Sequence, residues 1–210
     1  MDEIASGSCM DEIASGIYHW RTYHEGIGTK VSSYYVEPAA TVIDPMEPED
    51  GFAWFEGRNL DRVVLGNRHH YRHADRFHAR FGIGVLAVEQ GMHELENRPG
   101  VESFAFGDEV APGITAHAIE PSWPDEGVLH IALGPGLLVI GDGAMHYGDD
   151  IHFVPDEHLG DDPERTKELL RHGYGRLLDL EFETLLFSHG APIVGGGKEA
   201  LKAFAEGQAG

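Results

Sequence analysis

Short apolar runs, set in pairs against glycine-containing turns, dominate the first half of the chain. Ile17–His24 (IYHWRTYH) and residues 31–36 (VSSYYV) mix aromatic and β-branched positions on either side of Glu25-Gly26-Ile27-Gly28, which predicts two strands and a turn. Thr41–Ile43 follows Pro38 and closes this antiparallel start at Asp44-Pro45. Residues 51–59 fit either a short helix or an aromatic strand. Residues 63–65 (VVL) read as a short buried strand ending at Gly66. Phe77, Arg80 and Phe81 then follow at helical spacing, and Gly82 stops the helix.

The second half repeats this alternation. Strands are predicted at 83–88, 104–106 and 114–119, and residues 128–133 and Leu137–Ile140 flank a Gly134-Pro135-Gly136 hairpin. Asp162 caps a helix with Pro163 at its first position, and Leu169, Leu170, Tyr174, Leu177 and Leu178 form the apolar stripe. Thr184–Phe187 reads as a buried strand, and residues 198–206 as a last helix. No linker divides the pattern. It predicts one α/β domain over residues 17–210, with sheets packed inside helical layers. Residues 1–7 and 10–16 are both MDEIASG, so residues 1–16 are expected to form a disordered or duplicated segment outside the fold.

Composition narrows the function classes. The net charge of -21, from 36 acids against 15 basic residues, argues against nucleic acid or an anionic membrane as partner. An acidic, lysine-poor surface fits either a high-salt cytoplasm or a biased genome composition. One cysteine, Cys9, excludes an internal disulfide, and no apolar run nears a membrane span. These features give the expectation of a cytoplasmic protein that takes a small-molecule ligand and is compatible with homo-oligomers. The acids between residues 149 and 164 read as a solvated loop, and His117 and His130, inside strands, as structural histidines.

The candidate chemistry lies in the loop after residue 65, which is dense in groups that bind metals or protons: Asn67, His69, His70, Tyr71, Arg72, His73 and Asp75. Such strand-to-helix corners display reactive side chains in α/β folds. Two further strands also end in a ligand type beside glycine: Leu137–Ile140 runs into Gly141-Asp142-Gly143, and Thr184–Phe187 into Ser188-His189-Gly190.

The order of these segments resembles the metallo-β-lactamase superfamily over residues 17–206. The segments are TVID at 41–44, GNRHHYR at 66–72, PSWP at 121–124, IGDG at 140–143 and SHG at 188–190. The resemblance implies a four-layer αββα sandwich with its site along one edge where the sheets meet. Carried over residue by residue, it keeps His69, Asp142 and His189 as catalytic and metal-binding positions. Asn67, Tyr71, Arg72 and Trp123 stand where four other ligands belong, and become expected ligand-binding residues. In this register His70, His73 and His78 fall outside the ligand set.

The reduced set implies at most one metal. Three protein ligands plus an open position suffice for a catalytic zinc-type site, whereas Arg72 puts a fixed charge where the family holds a second cation. Two such charges near 4 Å repel by about 4 kcal/mol at an effective dielectric near 20. Arg72 is therefore expected to pair with Asp142. The cofactor expectation is none or one zinc-like divalent metal. The functional expectation is a hydrolase-like protein acting on a small ester, thioester or amide-like substrate. The alternatives are a non-catalytic ligand-binding pseudoenzyme on the same fold and a metal-free enzyme with a histidine base.

Overall fold

A computed structural model describes residues 10–119 and 125–207. Its first half runs β1 (Asp11–Ala14), β2 (Ile17–His24), β3 (Thr29–Val36), β4 (Thr41–Ile43), β5 (Arg62–Val64), α1 (Ala74–Phe81), β6 (Gly84–Val88) and β7 (Val101–Phe104). These seven strands form one sheet in sequence order, antiparallel from β1 to β4 and parallel from β4 to β7. The second half runs β8 (Glu109–Ala111), β9 (Ile114–Ala118), β10 (Gly127–Ile131), β11 (Leu137–Ile140), β12 (Met145–Tyr147), β13 (Asp150–His152), α2 (Pro163–Arg176), β14 (Thr184–Phe187) and α3 (Gly197–Ala205). Its main sheet has the order β14-β11-β10-β9-β8, and β12 and β13 form a separate hairpin.

Three apolar clusters define four layers. The central one joins the sheets face to face, with Tyr34, Val36, Ile43 and Val64 from the first and Leu129, Ile131, Val139 and Leu186 from the second. A second cluster packs Phe77 and Ala74 of α1, together with Phe55, on Val63 and Val85 of the first sheet. A third packs Leu170 and Tyr174 of α2 and Leu201 and Phe204 of α3 on Leu138, Ile140 and Phe187 of the second. Each central strand is therefore apolar on both faces, as parallel strands covered on both sides must be. The αββα arrangement expected from the sequence is the one observed.

Local signals set the elements that carry the loops. Asp162 accepts a hydrogen bond from the Arg165 amide at 3.1 Å and starts α2 with Pro163 in its first turn. Gly82, at φ 69°, ends α1. Residues 51–55 resolve into a 3₁₀ turn that inserts Phe55 into the core. The second MDEIASG copy does not stay outside the fold: β1 pairs with β2 through Asp11 opposite His19, and it extends the sheet by one edge strand. The first copy, Cys9 and the 121–124 turn lie outside the described residues. Among the described residues no helix is long and apolar enough to cross a membrane.

The sheets are tied together beside the loops. Tyr34 on β3 donates its hydroxyl to the Phe187 carbonyl of β14 at 2.7 Å and accepts from the Phe187 amide at 2.9 Å. One residue beyond Phe187, the Ser188 carbonyl accepts the Ser32 amide at 3.0 Å. These bonds fix the middle of β3 against the end of β14, across the layers, at the edge where the ligand types gather.

Candidate metal centre

Parallel strand register brings the site residues together. On the second sheet β11 and β14 run parallel with Ile140 opposite Phe187, so Asp142 and His189, each two residues further on, emerge side by side. His189 Nε2 donates to Asp142 Oδ1 at 3.0 Å. On the first sheet β4 and β5 are also parallel with Ile43 opposite Val64, which sets Asp44 against the loop after β5. Asp44 Oδ1 accepts the Gly66 amide at 2.6 Å and Oδ2 accepts the Ser188 hydroxyl at 2.7 Å. The site thus lies beyond the carboxyl ends of parallel strands, where open α/β sheets place ligands.

The loop after β5 does not run extended. Asn67 caps a 3₁₀ turn, Arg68–Tyr71, its side-chain oxygen accepting the His69 amide at 2.9 Å. This turn carries the His70 ring inward, where it is 2% exposed. Nδ1 donates to Asp44 Oδ2 and Nε2 to Asp142 Oδ1, both at 2.9 Å. A ring that donates from both nitrogens is an imidazolium. Burial alone would lower its pKa, but the charges of Asp142 and Asp44 raise it to about 9. Burial in turn would raise both carboxyls. The His70 charge, with the hydrogen bonds made to them, instead holds Asp44 below and Asp142 well below the ordinary carboxylate range.

Asp142 uses its other oxygen on the far side. The Asn67 amide nitrogen donates to Asp142 Oδ2 at 3.0 Å and to Glu126 Oε2 at 3.2 Å. Glu126, 3% exposed, also accepts the Gly143 amide at 2.9 Å. Burial, and then the Asp142 charge, push its pKa up to about 8. The close approach requires glycine at 141, since a Cβ there would sit 2.7 Å from Glu126 Oε1. Gly190 is required for a second reason: it holds φ +104°, and a Cβ would lie 1.8 Å from the His146 carbonyl.

The placements can be compared with the sequence expectations residue by residue. Asn67, Asp142 and His189 converge as anticipated. His69 lines the same cavity, but the ring that reaches Asp142 belongs to His70, which the alignment with the family motif had set outside the ligand set. The physical reason is the 3₁₀ turn Arg68–Tyr71, which carries the His70 ring inward. Tyr71 turns into the core against α1; it is 6% exposed, and Arg98 stacks over its ring at 4.9 Å. Arg72 lines the cavity, but its recorded bonds are two from Nη1, to the Ser32 and Asp44 carbonyls, each at 2.9 Å. Asp142 is held by His70, His189 and Asn67 instead. Trp123 lies outside the described residues. Sequence reasoning missed Glu126 and Asp125, which accepts the Arg68 amide at 3.0 Å. Their signal was an acid pair immediately before a strand.

His73 and His78 stay apart from this cluster. His73 Nδ1 accepts the Glu47 amide, and His78 Nδ1 donates to the Ile83 carbonyl. His130 is held by the Glu181 carbonyl. The acidic stretch after residue 149 is more than a solvated loop, because Val154, Pro155 and His158 line the cavity above the cluster.

The donor set fits a divalent cation. One ligand atom each from His70, Asp142 and His189 lies within 4.8 Å of the others. Two imidazoles and a carboxylate are ligands that zinc-like ions accept, with a further position left open. Asp44 stands behind His70 as the carboxylate that orients a ligating ring. Binding would require His70 to give up the proton it shares with Asp142.

No protein-family model matches the sequence, and no curated protein matches it. Solved structures do. The DIM-1 metallo-β-lactamase superposes with a TM-score of 0.69 at 15% identity, over 94% of this chain and 96% of that one. A β-lactamase domain protein from Burkholderia ambifaria gives 0.67 at 16% identity, over 94% and 75%. A metal-soaked flavodiiron core from Synechocystis gives 0.63 at 16%, covering 94% of this chain and 60% of that one. This chain therefore spans less than two thirds of the flavodiiron core's length.

Proposed function

The chain has the metallo-β-lactamase fold, and from that premise we propose that it is a hydrolase-like protein with a reduced, at most one-metal site. His70, Asp142 and His189 hold a zinc-like divalent cation, and the cavity above them takes a small ester, thioester or amide-like substrate. The observation that carries this reading is the 4.8 Å grouping of the three donor atoms on the wall of a cavity of about 690 Å³. That volume suits a small organic ligand. A cation held there supplies Lewis-acid polarisation and a lowered pKa for water.

The chain's own residues supply the rest. Asp44 orients His70 through Nδ1. The Asn67 amide fixes the second Asp142 oxygen and so sets the plane of that carboxylate. Arg72, pinned by two carbonyls, leaves a permanent positive charge at the cavity wall, which disfavours a second cation.

Metal analysis of protein purified without chelators, followed by zinc titration, tests the reading. One equivalent bound, lost in His70→Ala, together with zinc-dependent cleavage of p-nitrophenyl acetate, supports it; two equivalents, or none, overturn it. One observation favours the other reading, a metal-free ligand-binding pseudoenzyme: both His70 nitrogens already have carboxylate partners. A protein that binds no zinc at pH 8 but retains the cavity's ligand affinity would establish that one.

A further inference from the structure

Glu126 is a costly residue to bury. It sits immediately before β10, is 3% exposed, and lines the cavity. A carboxyl group withdrawn from water needs compensating partners. Both of its recorded donors are neutral: the Gly143 amide gives to Oε1 at 2.9 Å and the Asn67 side chain to Oε2 at 3.2 Å. The backbone is shaped around this arrangement. Gly141 and Gly143 flank Asp142, and a Cβ at 141 would sit 2.7 Å from Glu126 Oε1. A Cβ at 143 would sit 2.4 Å from the Tyr174 hydroxyl, which is buried and has no hydrogen-bond partner among the described residues.

Asn67 is the link from Glu126 to the ligands. Its side-chain oxygen accepts the His69 amide at 2.9 Å, so its amino end is the one that faces the carboxylates. That end donates to Asp142 Oδ2 and to Glu126 Oε2. The same oxygen caps the turn that carries His70 inward. One side chain therefore couples the placement of His70 to the rotation of Asp142, and Glu126 holds it at the far end.

We infer that Glu126 is a positioning residue of this site. By tethering the Asn67 side chain at one oxygen and the Gly143 amide at the other, it holds the Asp142 carboxylate with Oδ1 toward His70 and His189 and Oδ2 toward Asn67. A carboxylate free to rotate can offer both oxygens to a cation. Held this way, Asp142 offers Oδ1 alone, and a coordination position stays open, as catalytic sites require. The inference rests on the one-metal reading for its coordination consequence, but the orientation of Asp142 is a property of the metal-free protein.

Two measurements on the full chain separate the positioning from the metal. Cobalt(II) titrated into metal-free protein reports coordination number, because four-coordinate cobalt absorbs far more strongly in the visible than five-coordinate cobalt. Proton NMR without metal reports the imidazole N–H protons that His70 and His189 direct at Asp142 Oδ1. Wild type should bind one equivalent with strong absorption and show both downfield N–H signals. Glu126→Ala should weaken cobalt binding by roughly 10–100-fold, lower the absorption per bound ion and remove the N–H signals. Glu126→Gln is isosteric but offers one acceptor oxygen to two donors, so it should fall between the two on each readout.

A lowered unfolding midpoint in Glu126→Ala, with wild-type absorption and wild-type N–H signals, would make Glu126 a purely structural residue and overturn the inference, leaving the one-metal reading intact. Wild type that takes up no cobalt, but whose N–H signals vanish in Glu126→Ala, would overturn the metal reading and uphold the positioning. Should the alanine variant not fold, the glutamine variant decides: equality with wild type on both measurements would overturn the inference.

Discussion

Oδ2 of Asp44 lies 2.9 Å from Nδ1 of His70, and it takes the Ser188 hydroxyl as well. One buried carboxylate thus aims the ring that faces Asp142 and receives a residue from the opposite sheet. Asp44 is 1% exposed and sits at φ 49°, a conformation that Asp and Asn tolerate better than other side chains.

Asp44→Ala should therefore leave His70 half-paired and the Gly66 amide and Ser188 hydroxyl without their acceptor. A loss of about 3–5 kcal/mol in urea denaturation is expected, as for breaking a buried ion pair. Asp44→Asn keeps the backbone preference and an acceptor, and should cost less while weakening zinc binding by roughly 10–100-fold. Wild-type stability in the alanine variant would show that Asp44 does not anchor the loop.

The two adjacent histidines give opposite expectations. His70→Ala should abolish the zinc equivalent, because its ring is one of three converging donors. His69→Ala should leave stoichiometry unchanged and alter only the cavity wall that His69 lines. Atomic emission on the two variants decides this, and metal loss on changing His69 alone would restore His69 to the ligand set in place of His70.

Arg72 carries backbone strain for a non-glycine residue, with φ 42° and ψ -113°. Its guanidinium donates to the Ser32 carbonyl of β3 and to the Asp44 carbonyl just past the end of β4. Replacing it by alanine removes two charge-assisted bonds and should destabilise the protein by about 3 kcal/mol. Arg72→Gly loses the same bonds but relieves the strain, so it should be the more stable of the two by about 1 kcal/mol. Equal midpoints for the two variants in chemical denaturation would refute the strain argument.

The fold was legible where the apolar runs were long or capped. Thr184–Phe187 and Leu137–Ile140 are buried at every position and could be read from composition alone. Asp142 and His189 were legible because each ends such a strand beside glycine. The loop after β5 was harder. Its ligand order depends on whether the backbone is extended or coiled, and the Asn67 cap that coils it is a local bond with no periodic signature. Glu126 reaches Asn67 across 59 positions, a pairing that only the tertiary fold creates. β1 escaped notice because a duplicated segment suggested no structural role, yet its backbone found an open sheet edge.

His19 gives a pH test away from the metal ligands. Its Nε2 lies 3.0 Å from the Ser32 hydroxyl, which itself donates to the Gly190 carbonyl. Burial, then the nearby Arg21 charge, lower its pKa to about 4 against an unfolded value of 6.5. The neutral ring thus contributes stability that is fully present above pH 6.5 and lost as pH falls toward 4. His70 has the opposite sign: in the metal-free protein its contribution is complete below 6.5 and lost as pH rises through about 9. Glu126, whose pKa is pushed up to about 8, works in the same direction as His70, its contribution being lost as pH rises through about 8. His19→Gln should therefore flatten the loss of stability between pH 6.5 and 4 and leave the alkaline limb unchanged. A urea-midpoint series from pH 4 to 9 measures both limbs, and an unchanged acid limb in the variant would remove His19 from the account.

The bonds from Tyr34 to Phe187 and from Ser188 to Asp44 join the two sheets at the edge where the site lies. The candidate ligands come from both sides of that seam, His70 from one sheet and Asp142 and His189 from the other. Whatever occupies the site therefore acts as a rivet through the sandwich. Peeling either sheet away first requires releasing the occupant, so its binding free energy adds to the resistance of both. Amide exchange in β4 and in β14 should slow together on ligand addition, as one cooperative unit.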